Sequence, residues 1–151
     1  MGCVERLIEG KSMSLKIKHL EYYNVIVNDH ASGGSQLLST IASAGVSLFA
    51  YTSVSLGSAR TRFTLFPGDG SQMVESTQEA GVKLDGPHPA LFVKEEEQDE
   101  SGDLAGIFEK LSRSNIQVNG SHGIADINGG YGVVLCLKQE DMEKAMAALK
   151  K

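Results

Sequence analysis

The chain carries one pattern twice, seventy positions apart, and that spacing limits 151 residues to two small modules of one kind more than to a single ordinary domain. Ala44, Gly45, Val46, Ser47 and Leu48 match Ser114, Asn115, Ile116, Gln117 and Val118. The same offset carries Phe63 onto Val133, Leu65 onto Leu135, and the helix-like run 71–76 onto 141–146. A shared register across a helix end, two strands and a second helix reads as a duplicated module of roughly seventy residues.

Each copy reads as mixed α and β. Tyr22 to Asn28 is aromatic and β-branched, and Asp29 to Gly34 then supplies turn formers, so a strand is predicted to enter a loop. Leu37, Leu38, Ile41 and Ala44 recur at three and four residues and predict an amphipathic helix. Gly45 ends it by taking a positive φ without a Cβ clash. Strands over 46–56 and 60–66 follow, then a helix from Ser71 to Ala80 stopped by Gly81, with Val82 to Leu84 as a short closing strand. The second half repeats the order. Ala90 to Lys94 is a strand, 95–101 an acidic loop, and Leu104, Ile107, Phe108 and Leu111 the helical stripe. Asn115 stands where Gly45 stood, two strands flank the turn Asn128 to Gly130, and Asp141 caps a last helix. No closing strand follows it, whereas 14–20 is a candidate strand outside the repeat that could cover the open edge. The expected organisation is an extension over 1–21, a first module over 22–86 and a second over 87–151. Antiparallel strands with both helices on one face make a two-layer α+β fold. Val46, Leu48, Val54 and Leu56 on one side of a strand, with Phe49 and Tyr51 on the other, predict a partner sheet, module or subunit over a wet surface, and from it a homodimer.

Composition removes several functions. Nineteen Asp and Glu against fourteen Lys and Arg give a net charge of −5, which disfavours nucleic acid or anionic lipid as the main partner. Cys3 and Cys136 are far apart and have no metal-type spacing, so neither a disulfide scaffold nor a zinc cluster is expected. No run approaches the roughly 20 apolar residues that cross a bilayer, and no secretory leader is evident. A soluble, cytoplasmic chain is expected.

The residues for chemistry are sparse. His30 beside Asp29 is the best acid–base candidate, weighed against a ligand contact or an exposed loop histidine. His88 and His122 have no companions at metal spacing. Ser32, Gly33, Gly34 and Ser35 lead into a helix whose free N–H groups could receive a carboxylate or phosphate, unless the glycines only turn the chain. The matching loop, with Asp99, Ser101, Gly102 and Asp103, could hold an ammonium group or a hard cation, or be a solvated acidic loop. No GxxxxGK[ST] sequence is present. No catalytic residue, metal or cofactor is assigned.

The run from Ser101 to Leu111, followed by Ser114 to Val118, resembles the loop glycine, helical Leu and Ile positions and short turn of the ACT domains. These are the βαββαβ ferredoxin-like regulatory modules of amino-acid metabolism. Gly34, Leu38, Ile41 and Ala44 to Leu48 carry the likeness in the first copy, and the resemblance spans about residues 22 to 150. It implies tandem ferredoxin-like modules that sense a small ligand without catalysis. By the same resemblance, an amino acid or similar zwitterion or anion would meet Asp29, His30, Ser32, Gly33 and Gly34, or Asp99, Ser101, Gly102 and Asp103, with Asn115 near the far end of the helix. Neither loop has the family's frequent Pro-Gly pair. The rival reading is a structural or protein-interaction module without a small ligand.

Overall fold

The computed structural model describes residues 15–28, 31–95, 104–125 and 131–150. Its strands are β1 (Leu15–Val27), β2 (Leu48–Gly57), β3 (Arg60–Pro67), β4 (Asp85–Glu95), β5 (Gly120–Ala125) and β6 (Tyr131–Cys136). Its helices are α1 (Ala31–Ser43), α2 (Gly70–Glu79), α3 (Leu104–Arg113) and α4 (Met142–Leu149), the last preceded by a 3-10 turn at Gln139–Asp141. The chain divides into two compact units: Glu21–His88, and the residues from Pro89 onward together with those up to Leu20.

In the unit Glu21–His88 the strand order is β2-β3-β1-β4. Antiparallel register sets Tyr23 opposite Leu65 and Val25 opposite Phe63, so alternation puts all four on one face. Leu37 and Ile41 of α1 and Met73 of α2 join them in one buried cluster, which places both helices on that face. Burying a side chain such as Leu37 or Ile41 contributes about 1.5–3 kcal/mol. The other unit has the order β1-β4-β6-β5. Leu91 opposite Leu135 and Val93 opposite Val133 form its apolar face, packed by Ile107 and Leu111 of α3 and by Met142, Ala145 and Leu149 of α4. Ile17, from the start of β1, packs against this second cluster. Each unit is a ferredoxin-like α+β sandwich with its helices on one side.

Three helices end alike. Beyond α1, the N–H of Gly45 donates to the carbonyl of Ala42 (3.0 Å) and that of Val46 to Ile41 (3.2 Å). Beyond α3, Asn115 donates to Ser112 (2.9 Å) and Ile116 to Leu111 (3.0 Å). Beyond α2, Gly81 donates to Gln78 (3.1 Å) and Val82 to Thr77 (2.8 Å). The residue at the corner has φ 78, 59 and 76, respectively, as this pairing requires.

Four local expectations are corrected. The turn formers 29–34 do not all lie in a loop, because α1 begins at Ala31 and takes in Gly33 and Gly34. Val82 to Leu84 do not form a strand: Val82 and Leu84 pack against the buried cluster, and β4 begins at Asp85. The separate strands expected over 14–20 and 22–28 are one strand, β1. α2 also starts one residue earlier than expected, because the Asp69 carboxylate accepts from the backbone N–H groups of Ser71 (3.1 Å) and Gln72 (3.4 Å).

Candidate ligand-binding site

Two of the expected site residues, Gly33 and Gly34, sit in the first turn of α1, where the opening N–H groups of a helix have no intrahelical acceptor. They do different jobs. A Cβ on Gly34 would stand 2.9 Å from Cζ of Phe63, well inside normal contact, so the missing side chain lets α1 settle on β3. Gly34 therefore serves packing. Gly33 is buried and lines a cleft of about 360 Å³ together with Val27, Gln36, Thr40, Gly81 and Lys83. The hydroxyl of Thr40 donates back to the carbonyl of Gln36 (3.0 Å), leaving the Gln36 side chain as the cleft's amide and Lys83 as its cation.

Asn115 lies in the other unit, exposed at the end of α3. Its φ of 59 gives it a backbone role, and it also lines a second cleft of about 650 Å³ with Gln117, Lys138, Asp141 and Lys144. Sequence reading passed over both lysines and Lys83, because lone exposed lysines carry no pattern until a fold brings them to a cavity wall. Ser32 falls within α1. Asp29, His30, Asp99, Ser101, Gly102 and Asp103 lie outside the described residues.

Three shifted groups lie outside both clefts. The Ser71 hydroxyl, at 2.8 Å, and then the Gln72 N–H hold the Asp69 carboxyl below its ordinary value. Burial pushes the Tyr23 phenol up, with the Glu21 carboxylate adding to it, and burial holds the His122 imidazole down. Among the described residues no group of three or more His, Cys, Asp or Glu is placed to hold a metal ion, and no helix is long and apolar enough to cross a membrane.

Comparison with solved structures then decides the fold. A protein from Bacteroides thetaiotaomicron superposes with a TM-score of 0.75 at 12% identity, covering 89% of this chain and 88% of that one. The structure of aspartokinase alpha and beta subunits gives 0.65 at 18% identity, covering 90% and 94%. The ligand-free regulatory subunit of aspartate kinase from Thermus thermophilus gives 0.64 at 12% identity, covering 89% and 93%. The chain has the tandem ACT-domain fold. No protein-family model and no curated protein sequence matches it. At these identities the ACT likeness carries architecture: two ferredoxin-like units, each with helices on one side of an antiparallel sheet.

Proposed function

We propose that this chain is a non-catalytic regulatory module in which an amino acid, or another small zwitterion, binds at the start of α1 and biases an interface with a second copy. The observation that carries the reading is the cleft beside Gly33: the opening turn of a helix, with its positive dipole end, borders a cavity that also holds Lys83. A carboxylate there would meet N–H donors and an ammonium together. Solved regulatory subunits of aspartate kinase with this fold support a regulatory role. The ligand must favour one arrangement of the interface over another, because equal affinity shifts nothing.

A second reading, an interaction module without a small ligand, has its own support. The outermost strand of the unit Glu21–His88, β2, exposes Phe49, Tyr51, Val54 and Leu56, and Ile26 of β1 is exposed nearby in the same sheet. No charged residue and no proline guards that edge, a combination that favours pairing with another chain.

One experiment separates the two. A thermal-shift screen of the dialysed protein against the twenty amino acids, followed by calorimetry and sizing, should give a selective saturable hit and a change in assembly. Lys83→Gln should weaken that hit about tenfold, the effect of losing one charge-assisted contact of roughly 1.4 kcal/mol. Absence of any hit, with a constant dimer, would refute the sensor and favour the interaction module.

A further inference from the structure

Four of the six large apolar side chains left exposed among the described residues, Phe49, Tyr51, Val54 and Leu56, belong to β2, so the apolar surface is gathered on one strand. β2 is the outermost strand of the unit Glu21–His88, and its far edge carries backbone N–H and C=O groups that no described strand pairs. Both faces of the strand are apolar. Tyr51 stands opposite Leu65, on the face that carries the helices, whereas Val54 stands opposite Arg62 on the other face. A partner laid on one face would cover only one of these two side chains. A strand added alongside flanks both.

β2 also matches itself. Its regular stretch, Ala50 to Ser55, lies between two irregularities in the ladder with β3, at Leu48/Ala50 and Ser55/Gly57. A two-fold axis normal to the sheet sets β2 antiparallel to a copy of itself and keeps like faces together. Such an axis passes beside a single residue, and the middle of the regular stretch offers Thr52 or Ser53. About Ser53, Tyr51 faces Ser55 of the second copy, Ala50 faces Leu56 and Phe49 faces Gly57, so each large side chain meets a small one, while Thr52 faces Val54 as a β-branched pair. About Thr52, Leu48 would have to meet Leu56, although Leu48 already packs against its own core. No residue from Leu48 to Gly57 is charged, so the two strands bring no like charges together.

We propose that β2 pairs with β2 of a second copy of this chain, antiparallel and centred on Ser53, so that the sheet β2-β3-β1-β4 of one copy continues into that of the next. An unrelated strand could satisfy the edge's backbone groups, but the size match about Ser53 is met by the same strand alone. This pairing supplies the interface that the regulatory reading needs, yet it requires no ligand, and sizing in the absence of any added ligand tests it separately from the cleft beside Gly33.

The test is sedentation-free sizing by light scattering of the full chain at about 100 µM, with Ser53→Lys and Ser53→Glu as variants. Ser53 is exposed, and either change sets two like charges directly opposite each other at the two-fold axis. A dimer is expected for the unchanged chain, about tenfold weaker dimerisation for either variant alone, and a restored dimer when the two variants are mixed. In a Cys3→Ser background, where Cys136 is buried, Ser53→Cys should cross-link under mild oxidation faster than Thr52→Cys, because only residue 53 faces its own copy. A monomeric unchanged chain, a dimer that persists in Ser53→Lys, a mixture that stays monomeric, or faster cross-linking at Thr52→Cys would overturn the proposal. A saturable amino-acid hit on a monomeric chain would overturn the pairing while leaving the cleft beside Gly33 standing.

Discussion

Replacing Gly34 by alanine sets two effects of opposite sign against each other. Alanine is favoured over glycine in a helix by about 1 kcal/mol. Against that stands the ring of Phe63: the new Cβ would lie 2.9 Å from Cζ and 3.4 Å from Cε1, whereas carbon atoms settle at about 3.5–4.0 Å. The ring cannot yield freely, because Phe63 is buried and held in register between Val25 of β1 and Ser53 of β2. Overpacking of this kind costs about 1–3 kcal/mol, so Gly34→Ala should lower stability by about 1 kcal/mol net. In a Phe63→Leu background the far end of the ring is gone, and the same change should raise stability by about 1 kcal/mol. Urea unfolding of the four proteins in this cycle should therefore give a coupling of about 2 kcal/mol. If alanine stabilises both backgrounds equally, the close approach of α1 to β3 is wrong.

Two further outcomes follow from the helix ends. Asn115 is exposed and holds a left-handed backbone, so Asn115→Ala should lower stability by about 1 kcal/mol in urea unfolding while Asn115→Gly does not; equal loss from both would point to the amide side chain instead. The Asp69 carboxyl is held low by the Ser71 hydroxyl and the Gln72 N–H, so the folded state binds its proton more weakly than the unfolded chain does. Its contribution is full above the unfolded value near 3.9 and is lost as pH falls through the folded value. The gap in Tm between the protein and Asp69→Ala should then narrow between about pH 6 and about pH 3, and a constant gap would show that the charge is not what caps α2.

The fold was legible where local chemistry and tertiary structure agree. Gly45, Gly81 and Asn115 mark helix ends because the left-handed corner demands such residues wherever it occurs. The stripe of Leu37 and Ile41 names its buried face by spacing alone. Gly33 and Gly34 misled because glycine is a poor helix former, and the ring that makes its use worthwhile lies 29 residues further on at Phe63. Val82 to Leu84 has the apolar alternation of a strand, yet the turn at Gly81 sends Val82 and Leu84 into the core before the ladder begins. Of the candidate site, the sequence marked a glycine segment leading into α1 but put Gly33 and Gly34 ahead of the helix instead of in its first turn. Lys83, Lys138 and Lys144 were not legible, since their meaning comes from cavity walls assembled from separate segments.

β1 serves two masters, its first residues grouping with the unit that begins at Pro89 and its last with Glu21–His88. During synthesis the unit Glu21–His88 has all of its chain as soon as His88 emerges. The segment ending at Leu20, including Ile17, must wait for Leu91, Val93, Leu135 and Leu149. At roughly 5–20 residues per second, that wait lasts several seconds. Ile17 is thus made before the unit Glu21–His88 yet packed after it, and a chain interrupted after that unit would leave Ile17 uncovered.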